Sequence, residues 1–206
     1  SNPEKATHIV GGEIFYECLG NNEYQVTLHL YRDCLLGEAE FDDPATITVF
    51  NSNGDIVTTL YPSFTGSDVL DVVINNPCLQ APPNVCVDHA IYEEVVTLPP
   101  ISGGYDIVYQ RCCRNNSILN LVAPEDAGST FHLRIPEIAL SECNNSPHFN
   151  QFPPVALCTD DPLQLDLSAT DPDGDQLVYS LCDPFHGASD VVPAPDPDFA
   201  PPFQNI

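Results

Sequence analysis

Basic residues are scarce in this sequence, which has five lysines and arginines against thirty aspartates and glutamates, a formal net charge of −25. A field of this sign repels nucleic acid phosphates and anionic lipid headgroups, so neither is expected as a partner. It attracts cations, and calcium is the natural candidate because it prefers carboxylate oxygens. Most of the carboxylates are nevertheless expected to form a solvated surface.

Methionine and tryptophan are absent, and no apolar run approaches the ~20 residues of a membrane-spanning helix. We therefore expect no membrane insertion in this segment. The missing methionine is expected of a mature fragment that has lost an N-terminal export signal.

Catalytic motifs are lacking as well. HIVGGEIF (8–15) contains the IVGG of trypsin-like proteases, but neither a GDSGG turn nor an AAHC string occurs. The six histidines show no HExxH pattern or paired metal spacing. The sequence therefore predicts a protein that is not an enzyme.

Nine cysteines are present, without the paired CxxC spacing of structural zinc sites. Disulfides formed in an oxidising compartment are the better interpretation, which predicts a secreted protein. Cys18 and Cys34 lie at opposite ends of a predicted hairpin, some ~30 Å apart, and cannot bond to each other. Cys112 and Cys113 should point to opposite faces and take different partners, one of them Cys34. A strained bridge between the two neighbours is the alternative.

Two further bridges are expected. The Pro-rich segment NNPCLQAPPNVC (75–86) is most easily closed by a Cys78–Cys86 bond. Cys158 and Cys182 flank a second group of strands and are expected to bond together.

Apolar residues alternate with period two, which predicts strands throughout and almost no helix. Short segments of this kind with turn signals between them favour an all-β sandwich with Greek-key connections. The eight predicted strands are residues 13–18, 24–34, 45–51, 54–62, 69–74, 92–99, 105–113 and 129–136.

The composition changes at ECNNSPHFNQFPP (142–154), which is typical of a linker. We predict a Cys-rich sandwich domain over residues 1–143 and a second sandwich beginning at 144–206. Two strands around an acidic turn are expected within 163–182. About sixty residues fall short of the ~100 of a complete sandwich, so the second domain is expected to be incomplete.

The acidic turn in ATDPDGDQLVYSL (169–181) is the sharpest local motif. Asp171, Asp173 and Asp175 alternate in a Pro/Gly turn that can direct several carboxylates toward one calcium ion. The ligand spacing of an EF-hand is missing. A solvated turn is the alternative, since Asp and Gly are good turn formers.

Two resemblances extend this interpretation. NNSPHF (144–149) together with the later DPD resembles the cadherin pattern, in which calcium is shared between successive domains. The resemblance implies Asn145, Asp171 and Asp173 as ligands, with Asp175 beside them, and an ion that stiffens the junction. Cadherins carry aspartates where this linker has asparagines and a serine, which leaves the number of ions open.

The second resemblance spans nearly the whole chain. The segments 6–34, 108–121 and 146–181 resemble, in the same order, the N-terminal region of large gliding-motility-associated surface proteins of Bacteroidota. The family implies export by type IX secretion, a location at the cell surface and a role in adhesion or gliding. Its partners would be the secretion or motility machinery of the outer membrane, further domains of the same chain, and an extracellular glycan or protein.

The favoured hypothesis is a non-enzymatic adhesin segment with tandem Ig-like or cadherin-like sandwiches. The alternative is a carbohydrate-binding module of a secreted enzyme. That alternative is weakened by the lack of tryptophan, because sugar-binding platforms generally use exposed aromatic residues.

Overall fold

The computed structural model describes residues 9–35, 40–71, 85–115, 118–151, 154–155 and 165–205. The predicted all-β class is confirmed, and a single short α-helix is found in the described part of the chain. The elements are β1 Ile9–Gly20, β2 Glu23–Asp33, β3 Ile47–Asn51, β4 Ile56–Leu60, β5 Phe64–Val69, β6 Val87–Thr97, β7 Tyr105–Arg111, β8 Ser129–Ile135, α1 Glu137–Glu142, β9 His148–Phe149 and β10 Ala169–Thr170.

Two four-stranded antiparallel sheets enclose the core. The first sheet has the order β1-β2-β6-β5 and the second has the order β4-β3-β7-β8. Alternate residues of each strand point inward, as the period-two pattern requires. The fully buried centre includes Val26, Leu28, Leu30, Ile47, Val49 and Ile107. The fold is therefore a β-sandwich built on one core.

The two predicted hairpins are present. β1 turns into β2 at Asn21 and Asn22, whose φ angles of 54° and 64° asparagine tolerates better than most residues. β3 turns into β4 through Gly54, with a φ of 81°. Of the strand predicted at 69–74, Val69 is the last residue of β5, which pairs with β6, and residues 70 and 71 are not in a strand. Residues 72–74 lie outside the described part.

The predicted Cys78–Cys86 bridge is wrong, because Cys86 bonds to Cys34. β2 and β6 are antiparallel neighbours whose register ends with Asp33 opposite Val87. The next residue on each side is a cysteine, and their Cα atoms lie 5.2 Å apart. This bond also overturns the expected pairing of Cys34 with one of the vicinal cysteines.

Cys112 and Cys113 bond to each other rather than to separate partners. The expectation of opposite faces was wrong because β7 ends at Arg111, so neither cysteine belongs to a strand. Cys18 bonds to Cys143 and not to Cys34, which confirms that the hairpin cysteines do not meet.

The predicted Cys158–Cys182 bridge is not formed, because Cys182 is an exposed free thiol. Its segment is not held in a strand opposite another, which removes the geometric reason for the prediction. Cys78 and Cys158 lie outside the described residues.

The described residues after 144 form a small element and a long covering segment. β9 pairs with β10, whereas the described residues 171–182 contain no strand, so the hairpin predicted around the acidic turn is not formed. Residues 183–205, named here the strap, contact the outer face of the second sheet. All seven residues of β7 are buried, because the core covers one face and the strap covers the other. No helix in the described ranges has the length and apolar character needed to cross a membrane.

Candidate functional site

The linker 144–146 lies along the exposed edge of β1. Asn145 Oδ1 accepts the backbone N–H of Cys18 at 2.8 Å, and Ser146 Oγ accepts that of Tyr16 at 2.8 Å. The backbone N–H of Ser146 donates in return to Tyr16 O at 3.0 Å. The Cys18–Cys143 disulfide fixes the chain just before these contacts. An edge strand with unpaired backbone groups is thereby covered, and the linker has one defined position.

The acidic turn is built by Asp171. Its Oδ1 accepts the backbone N–H groups of Asp173 at 2.9 Å and Asp175 at 3.1 Å. Gly174 supplies a φ of 80°, which an L-residue with a side chain rarely adopts. Asp and Gly therefore form this turn by their own local chemistry.

The turn contacts the linker directly. Asp173 Oδ2 accepts the backbone N–H of Asn145 at 2.6 Å, and its two oxygens lie 3.0 and 3.1 Å from Asn145 Nδ2. Asn144 Nδ2 donates to Asp175 Oδ2 at 2.7 Å. The residues singled out from the sequence are therefore brought together at one junction between the linker and the turn. All of these contacts are exposed.

The turn also acts on the neighbouring tyrosine of β1. Burial raises the pKa of Tyr16 to about 12, and the charges of Asp173 and Asp171 add to the shift. The negative charge of the turn therefore makes the Tyr16 hydroxyl at the edge of the sheet harder to ionise.

The donor atoms fit calcium by type, because carboxylate oxygens are its preferred ligands. In this structure the carboxylates accept hydrogen bonds instead. The amide nitrogen of Asn145 points toward Asp173, and its oxygen accepts the backbone N–H of Cys18. Within the described residues, the group with three donor atoms inside 4.8 Å is Cys34, Cys86 and Asp88, and its two sulfurs form a disulfide. An ion at the turn would require its carboxylates to rotate toward one another.

A small open pocket lies on the outer face of the first sheet. It has a volume of about 100 Å³ and is lined by Glu13, Phe15, His29, His148, Phe149, Asn150 and Gln151. Glu13 Oε1 lies 3.1 Å from His29 Nδ1, and the ring centroids of Phe15 and His148 lie 5.9 Å apart. The pocket offers aromatic faces beside a carboxylate, and the sequence analysis did not identify it.

Two buried arginines form ion pairs with carboxylates. Arg32 Nη2 lies 2.7 Å from Asp88 Oδ2, with both side chains nearly buried, and the Arg32 guanidinium lies over the ring of Phe41 at 4.9 Å. Arg111 Nη2 lies 2.9 Å from Asp42 Oδ1. Strand periodicity places Arg32 on β2, but its partner comes from β6, and no local signal joins the two.

The strap carries a buried carboxylate at Asp198, which is 3% exposed. It lies in the run APDPDFAPP (194–202), where proline and aspartate indicate an irregular exposed tail. Burial of that aspartate depends on contacts with strands some 90 to 150 residues away, so no sequence spacing predicts it.

Comparison of the chain with protein-family models, curated proteins and solved structures gives no match in any of the three.

Proposed function

We propose that this chain is a non-enzymatic segment of a bacterial cell-surface adhesin. Tandem Ig-like or cadherin-like sandwiches would be joined at a calcium-stiffened junction and would serve adhesion or gliding. Type IX secretion would deliver the protein to the cell surface. Its partners would be an extracellular glycan or protein, further domains of the same chain and the outer-membrane machinery.

The observation that carries the proposal is the junction between Asn145 and Asp173. The linker is bonded to the sheet edge by hydrogen bonds and by the Cys18–Cys143 disulfide, and it is bonded to the acidic turn by Asn145. The disulfide therefore ties the start of the linker covalently to the first sheet. This arrangement suits a mechanical spacer better than a catalytic cleft.

The strand order supports an Ig-like sandwich. In immunoglobulin domains the strands A, B, E and D form one sheet, and C, F and G form the other, to which C′ can be added. Taken in chain order, β1-β2-β6-β5 corresponds to A-B-E-D and β4-β3-β7-β8 corresponds to C′-C-F-G.

The disulfides and the charge support an extracellular location. Three bonds are found among the described residues, and disulfides persist in oxidising compartments. A formal net charge of −25 also keeps a protein soluble outside the cell. Surface proteolysis of intact cells, followed by detection of the cleaved chain, tests this location.

Calcium at the junction is tested by thermal melting with the ion and with a chelator. Asp171, Asp173 and Asp175 would hold the ion, with Asn145 rotating its oxygen toward it. At a calcium concentration one hundred times the Kd, the ion stabilises by about 2.7 kcal/mol, or roughly 5–10 °C for a chain of this size. Asp171→Asn should abolish the shift, because its amide oxygen still accepts the N–H bonds of the turn while the charge is lost.

The matched control is Asp183→Asn, which removes one charge from an exposed aspartate outside the turn. It should leave the calcium shift unchanged. Equal melting temperatures with calcium and chelator, or equal losses in both variants, would contradict the calcium junction.

The pocket beside Glu13 favours a second candidate, carbohydrate binding. Aromatic faces can stack on a sugar ring, and the neighbouring carboxylate can accept hydrogen bonds from its hydroxyl groups. A glycan array with Phe149→Ala and Glu13→Gln as comparison variants tests this. Binding that both substitutions weaken would favour the carbohydrate-binding module, and an array without any signal would count against it.

A further inference from the structure

The pocket on the outer face of the first sheet has a floor made by two strands. In the register of β1 and β2, Glu13 lies opposite His29, and Phe15 follows two residues along on the same face. The rings of Phe15 and His29 meet edge to face, with their centroids 5.3 Å apart. Glu13 Oε1 lies 3.1 Å from His29 Nδ1. The floor therefore combines a carboxylate with two rings.

The linker and β9 supply the wall of the pocket. Ser146 is bonded to the backbone of Tyr16 in both directions, and β9 pairs with β10. His148 is thereby held beside the sheet, and its ring centroid lies 5.9 Å from that of Phe15. Phe149 comes next and is 50% exposed. Backbone pairing therefore fixes the wall without the help of a ligand.

The lining of the pocket is acidic. Of the seven residues that line it, Glu13 is acidic and none is a lysine or an arginine. A second carboxylate lies close by, because Gln151 Nε2 donates to Asp166 Oδ2 at 3.2 Å. His29 offsets the charge of Glu13 only when it is protonated. The arginines of the described residues are held elsewhere by carboxylates or backbone carbonyls: Arg32, Arg111, Arg114 and Arg134. A cationic ligand would supply the charge that this lining lacks.

The enclosed space of the pocket is small. Its volume of about 100 Å³ has room for about three water molecules at ~30 Å³ each. A head group of a few heavy atoms fits in such a space, whereas a whole sugar ring does not. The remainder of a larger ligand would lie outside, where the exposed ring of Phe149 offers a contact surface.

Rings and a carboxylate together select an ammonium group. The faces of aromatic rings attract a cation that lies within about 6 Å of the ring centroid. A carboxylate also binds an ammonium more strongly than it binds a hydroxyl group, because both partners are charged. The field of a chain with a net charge of −25 concentrates cations and repels anionic ligands. Local chemistry and overall charge therefore favour the same class of ligand.

We propose that this pocket binds a substituted ammonium head group. The nitrogen would lie beside Glu13, and its carbon substituents would contact the rings of Phe15, His148 and Phe149. Two sources carry this chemistry, an amino sugar with a free amine and a choline-type trimethylammonium group. The pocket is that of the carbohydrate candidate, but the group it recognises is the ammonium charge and not the sugar ring. Binding depends neither on the calcium junction nor on a role in adhesion.

Titration of the full chain with choline, followed by NMR, tests recognition of the charge. The matched control is the neutral carbon analogue of choline, in which a tert-butyl group replaces the trimethylammonium group and keeps its shape. Equal ionic strength in both titrations removes general screening. Choline should shift the resonances of Glu13, Phe15 and Phe149 with a millimolar Kd, and the analogue should bind at least about tenfold more weakly. Equal affinities, or choline shifts spread over the whole acidic surface, would overturn the proposal.

Two variants locate the site. Glu13→Gln keeps the size of the side chain and removes its charge, so it should weaken choline binding by about tenfold or more. Glu17→Gln is the matched control, because Glu17 lies on the same face of β1, is exposed and does not line the pocket. It is about 13 Å along the strand from Glu13, beyond the Debye length of about 8 Å at physiological ionic strength. It should change the affinity by less than about twofold. Equal losses in both variants would show that choline senses only the net charge, and would refute the site.

Amino sugars identify the source of the head group and separate ammonium binding from general carbohydrate binding. Glucosamine has a free amine, and N-acetylglucosamine has the same ring without the charge. Glucosamine that binds at the pocket at least about tenfold more tightly than N-acetylglucosamine would support the proposal and favour an amino sugar. Choline binding without either sugar would support it with a trimethylammonium ligand and count against the carbohydrate candidate. Pocket shifts of equal size with both sugars and none with choline would overturn ammonium recognition and leave carbohydrate binding in place.

Discussion

The side chain of Asn145 connects two parts of the molecule at once. Its oxygen accepts the backbone N–H of Cys18 at 2.8 Å, while its nitrogen lies 3.0 and 3.1 Å from the two oxygens of Asp173. An amide suits this position because it offers an acceptor on one side and donors on the other. An aspartate would offer acceptors on both sides and would place a second charge beside Asp173.

Asn145→Asp should therefore distinguish a hydrogen-bonded junction from a metal-bound one. Without calcium, the lost donor and the added repulsion should lower the free energy of unfolding by about 0.5–1.5 kcal/mol. With calcium, the extra carboxylate should increase affinity and reverse the loss. Urea unfolding with chelator and with calcium measures both effects.

The matched control for this change is Asn53→Asp, in the exposed turn between β3 and β4. It adds the same charge away from the junction and should change stability by less than about 0.5 kcal/mol in either condition. If calcium does not reverse the destabilisation caused by Asn145→Asp, the junction is held by hydrogen bonds and does not bind the ion.

The Cys18–Cys143 disulfide should stabilise the chain more than any surface contact. It joins residues 125 positions apart. A crosslink of that span lowers the conformational entropy of the unfolded chain, which stabilises the folded state by about 4–5 kcal/mol at 25 °C. The double variant Cys18→Ser, Cys143→Ser should lose stability of that order in denaturant unfolding. Cys182→Ser is the control, because its exposed thiol forms no bond, and it should unfold like the parent.

Alkylation without reduction provides an independent check of the pairing. Cys182 should react with iodoacetamide, whereas Cys34 and Cys86 should stay unmodified until the protein is reduced. A peptide map with labelled Cys34 in the unreduced protein would contradict the described pairing.

The features that depend on residues close together along the chain could be predicted from the sequence. The β1–β2 hairpin follows from alternating apolar residues and a turn at Asn21 and Asn22, and the acidic turn follows from Asp171 and Gly174. The meeting of that turn with the linker at Asn145 was predicted from a resemblance, and the described contacts bring the two together.

What escaped prediction depends on register and on long-range contacts. Cys34 meets Cys86 because β2 and β6 are neighbours in one sheet, which no spacing along the chain reveals. Asp198 lies in a Pro-rich segment whose composition predicts an exposed tail, yet it is buried and accepts the backbone N–H groups of Thr48 and Gln110. Tertiary context overrides composition in both cases.

The buried pair of Arg32 and Asp88 should be sensitive to loss of one partner. Asp88→Asn removes the closest carboxylate of the nearly buried Arg32 guanidinium, while the exposed carboxylate of Glu40 stays beside it at 3.2 Å. We therefore expect a loss of up to about 3 kcal/mol. The double variant Arg32→Met, Asp88→Leu removes both charges and should recover much of that loss. Urea unfolding of the two variants and the parent gives the comparison. A single variant as stable as the parent would show that the pair is not energetically coupled.

Acid should weaken the first sheet through His89. Burial lowers the pKa of this imidazole, and the nearby His29 lowers it further, while Glu13 and Asp68 act in the opposite direction. The folded chain therefore binds the proton less readily than the unfolded chain, whose histidine has a pKa near 6.5. The stabilising contribution is present above about pH 6.5 and is lost as the pH falls below it. His89→Gln should flatten the pH dependence of unfolding below about pH 6.5. A steep acid dependence that remains in His89→Gln would assign the effect to another group.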